Sequence, residues 1–220
     1  MCIRDSNYVA IDHFKVPLPI VLSDSTHGEM THFGLVTVRV TDEQGQEGLG
    51  YTYTPNNIGA AAIHKFIEQD LAEAILSSTS DSIDTFWEEM WWHVHFVGRG
   101  GLAAFAIAAV DIALWDLQAK SANKPLWRLL GGNSCEVKAY AGGIDLDFTL
   151  EVLLAQAEGF LEQGYRAIKM KVGRDELEQD IERVQAMRNF VGTGFPLMVD
   201  ANMRWTVEQA INAATVLASC

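Results

Sequence analysis

The sequence predicts two structural units in series: an α+β unit over residues 7–133, then a run of parallel βα units over residues 134–220. Three observations carry this. In the first part strand-like segments precede helical ones, the segregated order of an α+β unit. From Val137 the two periodicities alternate as β-α-β-α-β-α, which calls for parallel strands joined by helices. Between the parts, Lys124-Pro125 and Gly131-Gly132 interrupt both patterns.

Taken in order, Met1–Ser6 has no apolar stretch of the kind a signal peptide carries and reads unlike the start of a strand, so it is expected to be non-native or disordered. Tyr8–Val16, Leu35–Thr41 and Gly48–Tyr53 alternate like strands, and Asp42-Glu43-Gln44-Gly45 supplies the turn between the last two. Pro17–Phe33 is long and mixed in character and reads as a loop. Helices follow over Ile58–Ser77, Ser82–His95 and Leu102–Ser121, with Asp81 or Ser82 capping the second and Gly98-Arg99-Gly100-Gly101 turning into the third.

In the second part Val137–Ile144, Arg166–Val172 and Pro196–Asp200 read as strands. Thr149–Gln163, ended by Gly164, and Glu176–Phe190 read as helices, and Thr206 caps a last helix that runs to Cys220. That helix meets no Gly, Pro or basic stop signal, so the chain is expected to be cut within it. Periodicity alone fits a doubly wound sheet or a (β/α)8 barrel equally. A whole barrel takes about 250 residues, and Val137–Cys220 holds three βα units.

Composition narrows the function. A net charge of −13 disfavours nucleic acid and anionic membranes as partners. It does not exclude an anionic substrate, because two lysines in a cleft can outweigh it locally. Cys2, Cys135 and Cys220 form neither a disulfide framework nor a zinc spacing, which points to a reducing cytoplasm. The apolar stretch Gly101–Leu117 contains Asp111 and Asp116 and is expected to be too short and too polar to span a bilayer.

Two strand ends carry chemistry. In Ala167-Ile168-Lys169-Met170-Lys171-Val172 the lysines are two apart, so both ammonium groups project from one face near the strand's carboxyl end. Two like charges held close disfavour each other's protonation and move a lysine towards the range of a general base. The same pattern also serves an exposed edge strand with solvated lysines. Pro196-Leu197-Met198-Val199-Asp200-Ala201-Asn202 ends in a carboxylate where parallel α/β folds place ligands and catalysts, and a hard cation such as Mg2+ prefers such oxygen. The bland alternative, a cap for the next helix, is better filled by Thr206. His93-x-His95 does not share a helix face, so it reads as aromatic packing rather than a metal site. Gly98–Gly101 lacks the Lys-Ser/Thr of a phosphate loop, and Gly142-Gly143-Ile144-Asp145 lacks the G-x-G-x-x-G of a dinucleotide site.

Asp111-Ile112-Ala113-Leu114-Trp115-Asp116-Leu117-Gln118-Ala119-Lys120, with Lys124-Pro125-Leu126 and Leu129-Leu130-Gly131-Gly132 after it, resembles a signature of the mandelate racemase and muconate lactonising enzymes of the enolase superfamily. Ile168-Lys169-Met170-Lys171-Val172-Gly173 resembles that family's Lys-x-Lys strand, and Val199-Asp200-Ala201-Asn202 with Trp205 its first metal-ligand strand. The resemblance implies an α+β capping domain followed by the first three βα units of a (β/α)8, TIM-like barrel. It implies that Lys171 is the base that removes a proton α to a carboxylate, with Lys169 neutralising that carboxylate and depressing the pKa of Lys171. Asp200 is then the first Mg2+ ligand and Asn202 a polar neighbour of the substrate.

It further implies that two more carboxylate ligands and a second acid/base group belong to later strands, so that the 220 residues alone are inactive. The expected activity of the whole protein is Mg2+-dependent dehydration of a sugar acid through an enediolate, or racemisation or epimerisation from the same intermediate. Capping-domain segments cover the barrel mouth in the family. The polar content of Pro17–Phe33 and of the region around Tyr53, His27 included, suits a hydroxylated substrate. A small carboxylate partner and a homo-oligomer complete the expectation. A non-catalytic binding protein that keeps the fold is the rival from another class.

Overall fold

The computed structural model describes residues 6–80 and 82–220. It divides into two compact units, one formed by the chain up to Pro17 together with His32–Glu136, the other by Leu18–Thr31 with Val137–Cys220. Apart from Ser6, the expectation for Met1–Ser6 lies outside the described residues, as does Asp81.

A three-stranded sheet runs in the order β1-β2-β3, with β1 Ser6–Asp24, β2 Gly28–Asp42 and β3 Glu47–Pro55; the hairpin end Leu18–Thr31 belongs to the second unit and the rest to the first. The loop expected over Pro17–Phe33 does not exist. Both strands run through it and meet in a short turn over residues 25–27. Pro17 and Pro19 are accommodated in β1 because it lies at the edge of its sheet. β2 and β3 are antiparallel, with Val36 opposite Thr52 and Val38 opposite Gly50. Their turn is held by the Asp42 carboxylate, which accepts the Gln44 and Gln46 N–H groups at 3.0 and 2.8 Å, and Gly45 takes φ +78°.

The helices of this unit are α1 Ala60–Phe66, a π-helical turn Ile67–Leu71, α2 Ala72–Ser77, α3 Ile83–His93, α4 Leu102–Ser121 and the short α5 Leu126–Leu129. Ser82 caps α3, its hydroxyl accepting the Thr85 N–H at 3.1 Å. The aromatic packing expected around His93-x-His95 is only partly present: Trp87 stacks on Trp91 and Arg99 lies 4.3 Å above the Trp92 ring, but His93, His95, Trp92 and Phe96 are exposed.

α4 crosses β3 at the closest approach that side chains allow. A Cβ on Gly48 would stand 2.6 Å from Leu117 N, and one on Gly50 would stand 2.5 Å from Ala113 N. Asp116 accepts the Leu49 N–H at 2.8 Å, and Lys120 donates to the Glu47 carbonyl at 2.9 Å. The Asp-rich signature on this helix is therefore a code for docking a helix on a strand. At 20 residues α4 is long and apolar enough, by length and composition, to cross a membrane, contrary to the sequence expectation. Half of that apolar stretch is buried, with Ala106, Val110, Leu114 and Leu117 in the core of the unit.

The second unit is a parallel sheet in the order β4-β5-β6, where β4 is Ala141–Gly142, β5 Ile168–Lys171 and β6 Leu197–Asp200. The helices are α6 Leu150–Glu162, α7 Leu177–Val191 and α8 Val207–Leu217. The predicted strand Val137–Ile144 shrinks to two residues. Val137 is 90% exposed, and beyond Gly142 the main chain leaves the ladder. Thr149 caps α6, and a Thr206–Gln209 capping box opens α8. The last helix stops at Leu217 instead of running to Cys220, because the Ser219 and Cys220 N–H groups close tight turns onto the Val216 and Leu217 carbonyls. Ile168, Met170 and Val172 form one face of β5 and are buried with Leu153, Ala157, Val184 and Met187. The alternation of strand side chains leaves Lys169 and Lys171 on the other face.

Candidate active site

Parallel register places Lys171 beside Asp200 and Lys169 beside Met198. The Asp200 carboxylate lies between the two lysines, its Oδ2 accepting from Lys169 Nζ at 2.9 Å and from Lys171 Nζ at 2.9 Å. Lys171 Nζ also donates to Asn202 Oδ1 at 2.6 Å, and the Asn202 N–H donates to Asp200 Oδ1 at 3.0 Å. The Lys171 side chain is 7% exposed, against 25% for Lys169 and 30% for Asp200. The structure thus brings four of the six predicted site residues into one hydrogen-bonded cluster.

The cluster holds two ammonium groups and one carboxylate, so each lysine faces Asp200 and not the other lysine alone. The hydrogen bond to Asp200, opposed by partial burial, holds Lys169 above its ordinary pKa. Hydrogen bonds from Lys169 first, then from Lys171 and the Asn202 N–H, hold the Asp200 carboxyl far below the usual carboxylate range against its partial burial.

Asn202 and Met203 both take left-handed backbone, with φ of 46° and 63°. Non-glycine residues there are held by their surroundings. The tip of the β1–β2 hairpin does the holding: Ser25 Oγ donates to the Ala201 carbonyl at 2.6 Å, and Thr26 Oγ1 donates to the Asn202 carbonyl. The same tip pairs with the segment after β4, Ser23 N–H to the Ile144 carbonyl and Leu146 N–H to the Ser23 carbonyl.

His27, predicted from its polar surroundings, sits in this tip but faces Asp24, whose Oδ2 lies 2.8 Å from His27 Nδ1. Burial of Asp24 opposes ionisation, yet the backbone and ring hydrogen bonds of His27 and the Thr26 N–H outweigh it and hold the carboxyl below its usual value. A polar cavity of about 560 Å3 opens beside the tip, lined by Asp24, Ser25, Asp147, Arg174, Asp175 and Arg204. Tyr53 stands on β3 in the first unit, 52% exposed, with its ring edge-on to Phe33 at 5.2 Å.

Sequence reasoning missed Asp145, Asp180 and Arg183, all buried next to the strand ends. Asp145 carried the signal that exposed Asp200, a carboxylate just past the end of a parallel strand.

Asp200 fits a hard divalent cation as one oxygen ligand, since two ammonium groups already share its Oδ2. Among the described residues no group of three or more His, Cys, Asp or Glu is placed to hold a metal. A lone carboxylate supplies at most a fraction of the oxygen shell that Mg2+ requires.

An α+β unit, then parallel βα repeats with lysines and a carboxylate gathered at the carboxyl ends of the strands, is the architecture of a capped α/β barrel. The chain belongs to the mandelate racemase / muconate lactonizing enzyme family. The model of the family's N-terminal domain matches residues 6–131, and that of the enolase C-terminal domain-like family matches residues 152–220.

Among its relatives, 3,6-anhydro-alpha-L-galactonate cycloisomerase of Streptomyces coelicolor is 52% identical over 210 residues, 96% of this chain and 58% of that protein. L-talarate/galactarate dehydratase of Salmonella typhimurium is 36% identical over 184 residues, 83% of this chain and 46% of that protein. The crystal structure of a racemase from Streptomyces coelicolor A3(2) with bound magnesium superposes with a TM-score of 0.94 at 51% identity, covering 97% of this chain and 60% of that one. The chain thus spans 60% or less of the length of each of these relatives.

Proposed function

We propose that the whole protein carrying this sequence is a Mg2+-dependent lyase that dehydrates a sugar acid by removing the proton α to its carboxylate. The observation that carries this reading is the cluster of Lys169, Lys171, Asp200 and Asn202 on one face of adjacent parallel strands. Lys171 Nζ, the most enclosed of these groups, takes the α-proton. Lys169 Nζ pairs with the substrate carboxylate and offsets the charge that builds up on it as the C–H bond breaks. Asn202 orients Lys171 through the 2.6 Å contact. Asp200, engaged by both lysines here, would be the residue of this chain that holds Mg2+. When bound, Mg2+ supplies a fixed positive charge at the substrate oxygens. Loss of the β-hydroxyl as water then leaves an enol that tautomerises to a 2-keto-3-deoxy acid.

One carboxylate does not hold Mg2+ in near-octahedral order. In this reading the 220 residues alone are inactive, and the other ligands and the second acid/base group come from further strands. His27, on the hairpin tip that holds Ala201 and Asn202, contacts the substrate hydroxyls, and the protein is a cytoplasmic homo-oligomer.

A second reading, cycloisomerisation of an anhydro sugar acid, is favoured by the 52% identical relative, and racemisation by the superposed structure. All three begin with the same proton removal. A panel of aldonates, aldarates and anhydro-aldonates, incubated with the whole protein and Mg2+, tests the proposal. A 2-keto-3-deoxy acid is expected. Isomerisation without loss of water gives the second reading, and epimerised acid gives the third. A panel that binds but never exchanges an α-proton overturns them all in favour of a binding protein.

A further inference from the structure

β4 stops after two residues, yet the next amide of β5 keeps a hydrogen-bond partner. The last bond from the β4 side is Gly143 N–H to the Lys169 carbonyl at 2.8 Å. In a parallel ladder the next would run from the Lys171 N–H to the Gly143 carbonyl. Instead the Lys171 N–H donates to the side chain of Asp145, at 2.9 Å from Oδ1. The main chain turns away at Gly143 and the carboxylate folds back over it. A Cβ on Gly143 would stand 2.8 Å from Asp145 Cγ and 2.7 Å from Gln156 Oε1, so the glycine is a requirement of this hook.

Asp145 is 1% exposed, and burial, opposed by the Lys171 N–H and by Arg183, pushes its carboxyl up. Arg183, 2% exposed, stands 3.6 Å from Asp145 Oδ1 and donates to the Asp145 and Phe148 carbonyls at 2.8 and 2.7 Å. A second buried carboxylate, Asp180 on α7, accepts the Gly173 and Arg174 N–H groups at 2.7 and 3.1 Å. Carboxylates from outside the sheet thus hold the main chain on both sides of the residue that carries the base.

Burying an ion pair is expensive, and a backbone carbonyl would have satisfied one amide without it. A charge-assisted bond is shorter and stiffer than a neutral one. We infer that Asp145, braced by Arg183, is a positioning residue for Lys171: it fixes the main chain at residue 171 so that Nζ stands at its working distance from the substrate. This rests on the reading of Lys171 as the base. A displacement of about 1 Å at a reacting group costs on the order of 100-fold in rate.

The test uses the whole protein, Mg2+ and the panel acid with the highest turnover. Two double variants remove the buried charges and differ only in the acceptor: Asp145→Asn with Arg183→Gln keeps an oxygen for the Lys171 N–H, and Asp145→Leu with Arg183→Gln does not. The inference expects kcat for α-proton exchange to fall roughly 10- to 100-fold in the Leu form, with KM nearly unchanged, and to recover to within about fivefold in the Asn form. Leu114→Ala, a core change in the first unit, controls for stability and is expected to keep kcat per folded molecule.

Equal kcat in folded Leu and Asn forms overturns the inference. If the Leu form does not fold, Asp145→Glu carries the test, since it keeps the charge but moves the carboxylate. A fall in kcat at unchanged KM is again expected, and wild-type kcat overturns the inference. Lys171→Ala separates the two claims: exchange that survives it refutes the reading of the base, whereas its loss beside a fully active Leu form refutes the positioning role alone.

Discussion

Gly50→Ala probes the helix–strand contact on which the first unit is built. The added methyl would stand 2.5 Å from Ala113 N and closer still to the Ala109 carbonyl oxygen. Non-bonded carbon contacts are at their optimum near 3.5–4.0 Å, so α4 and β3 must part by about 1 Å. Both obstacles are backbone atoms of a buried 20-residue helix, so no rotamer change relieves them. Overpacking of this kind costs about 1–3 kcal/mol, and a rigid obstacle places it at the upper end. Replacing a strand glycine returns roughly 0.5–1 kcal/mol of backbone entropy, leaving a net loss of about 2 kcal/mol. Gly159→Ala in α6 is the counter-case, because nothing lies within 4 Å of its Cβ, and a gain of up to about 1 kcal/mol is expected. Urea unfolding followed by tryptophan fluorescence reads the first unit, since Trp87, Trp91, Trp92, Trp115 and Trp127 belong to it. A Gly50→Ala midpoint equal to wild type would refute the packing argument.

Three further outcomes are expected. Thr206→Ala removes the reciprocal capping box of α8 and costs about 1 kcal/mol by urea unfolding, with faster amide exchange confined to the first turn of that helix. Asp180 has its carboxyl raised above 3.8 by burial, against the Gly173 and Arg174 N–H groups. The folded state therefore holds a proton that the unfolded state has released, and this contribution to stability falls as pH rises from 3.8 through the folded value. The stability of wild type relative to Asp180→Asn should decline across that window, and an increase would contradict the sign. Asp200→Asn in the whole protein is expected to weaken Mg2+ binding, measured by calorimetry, by at least the roughly 10- to 100-fold typical of outer-shell changes, with the circular dichroism spectrum unchanged.

Long periodic elements were legible in the sequence. α4 begins and ends where its pattern does, and Ser82 and Thr206 cap the helices that their positions predict, while Thr149, read as the first helical residue, caps α6. Elements governed by distant partners were not. The β1–β2 hairpin looked like a loop because Pro17, Pro19 and the polar run Ser23–His27 break the local pattern, and their partners lie more than a hundred residues away at Ile144, Ala201 and Asn202. β4 looked longer because Gly143 and Ile144 read as strand residues until the Asp145 side chain is seen to replace the backbone. Lys169, Lys171 and Asp200 were found because a two-residue spacing and a strand end are local facts. That Asp200 stands between the lysines is a fact of register between strands, which one strand's sequence does not contain.

The central claim is that Lys171 removes an α-proton, and deuterium exchange measures that step whatever follows it. The whole protein, with Mg2+ and a turned-over sugar acid in deuterated water, should wash deuterium into the α-position. Lys171→Ala should abolish this, while Lys120→Ala, whose side chain pairs with Asp116 and the Glu47 carbonyl on the first unit, should leave it nearly intact. Exchange at the wild-type rate in Lys171→Ala would contradict the account.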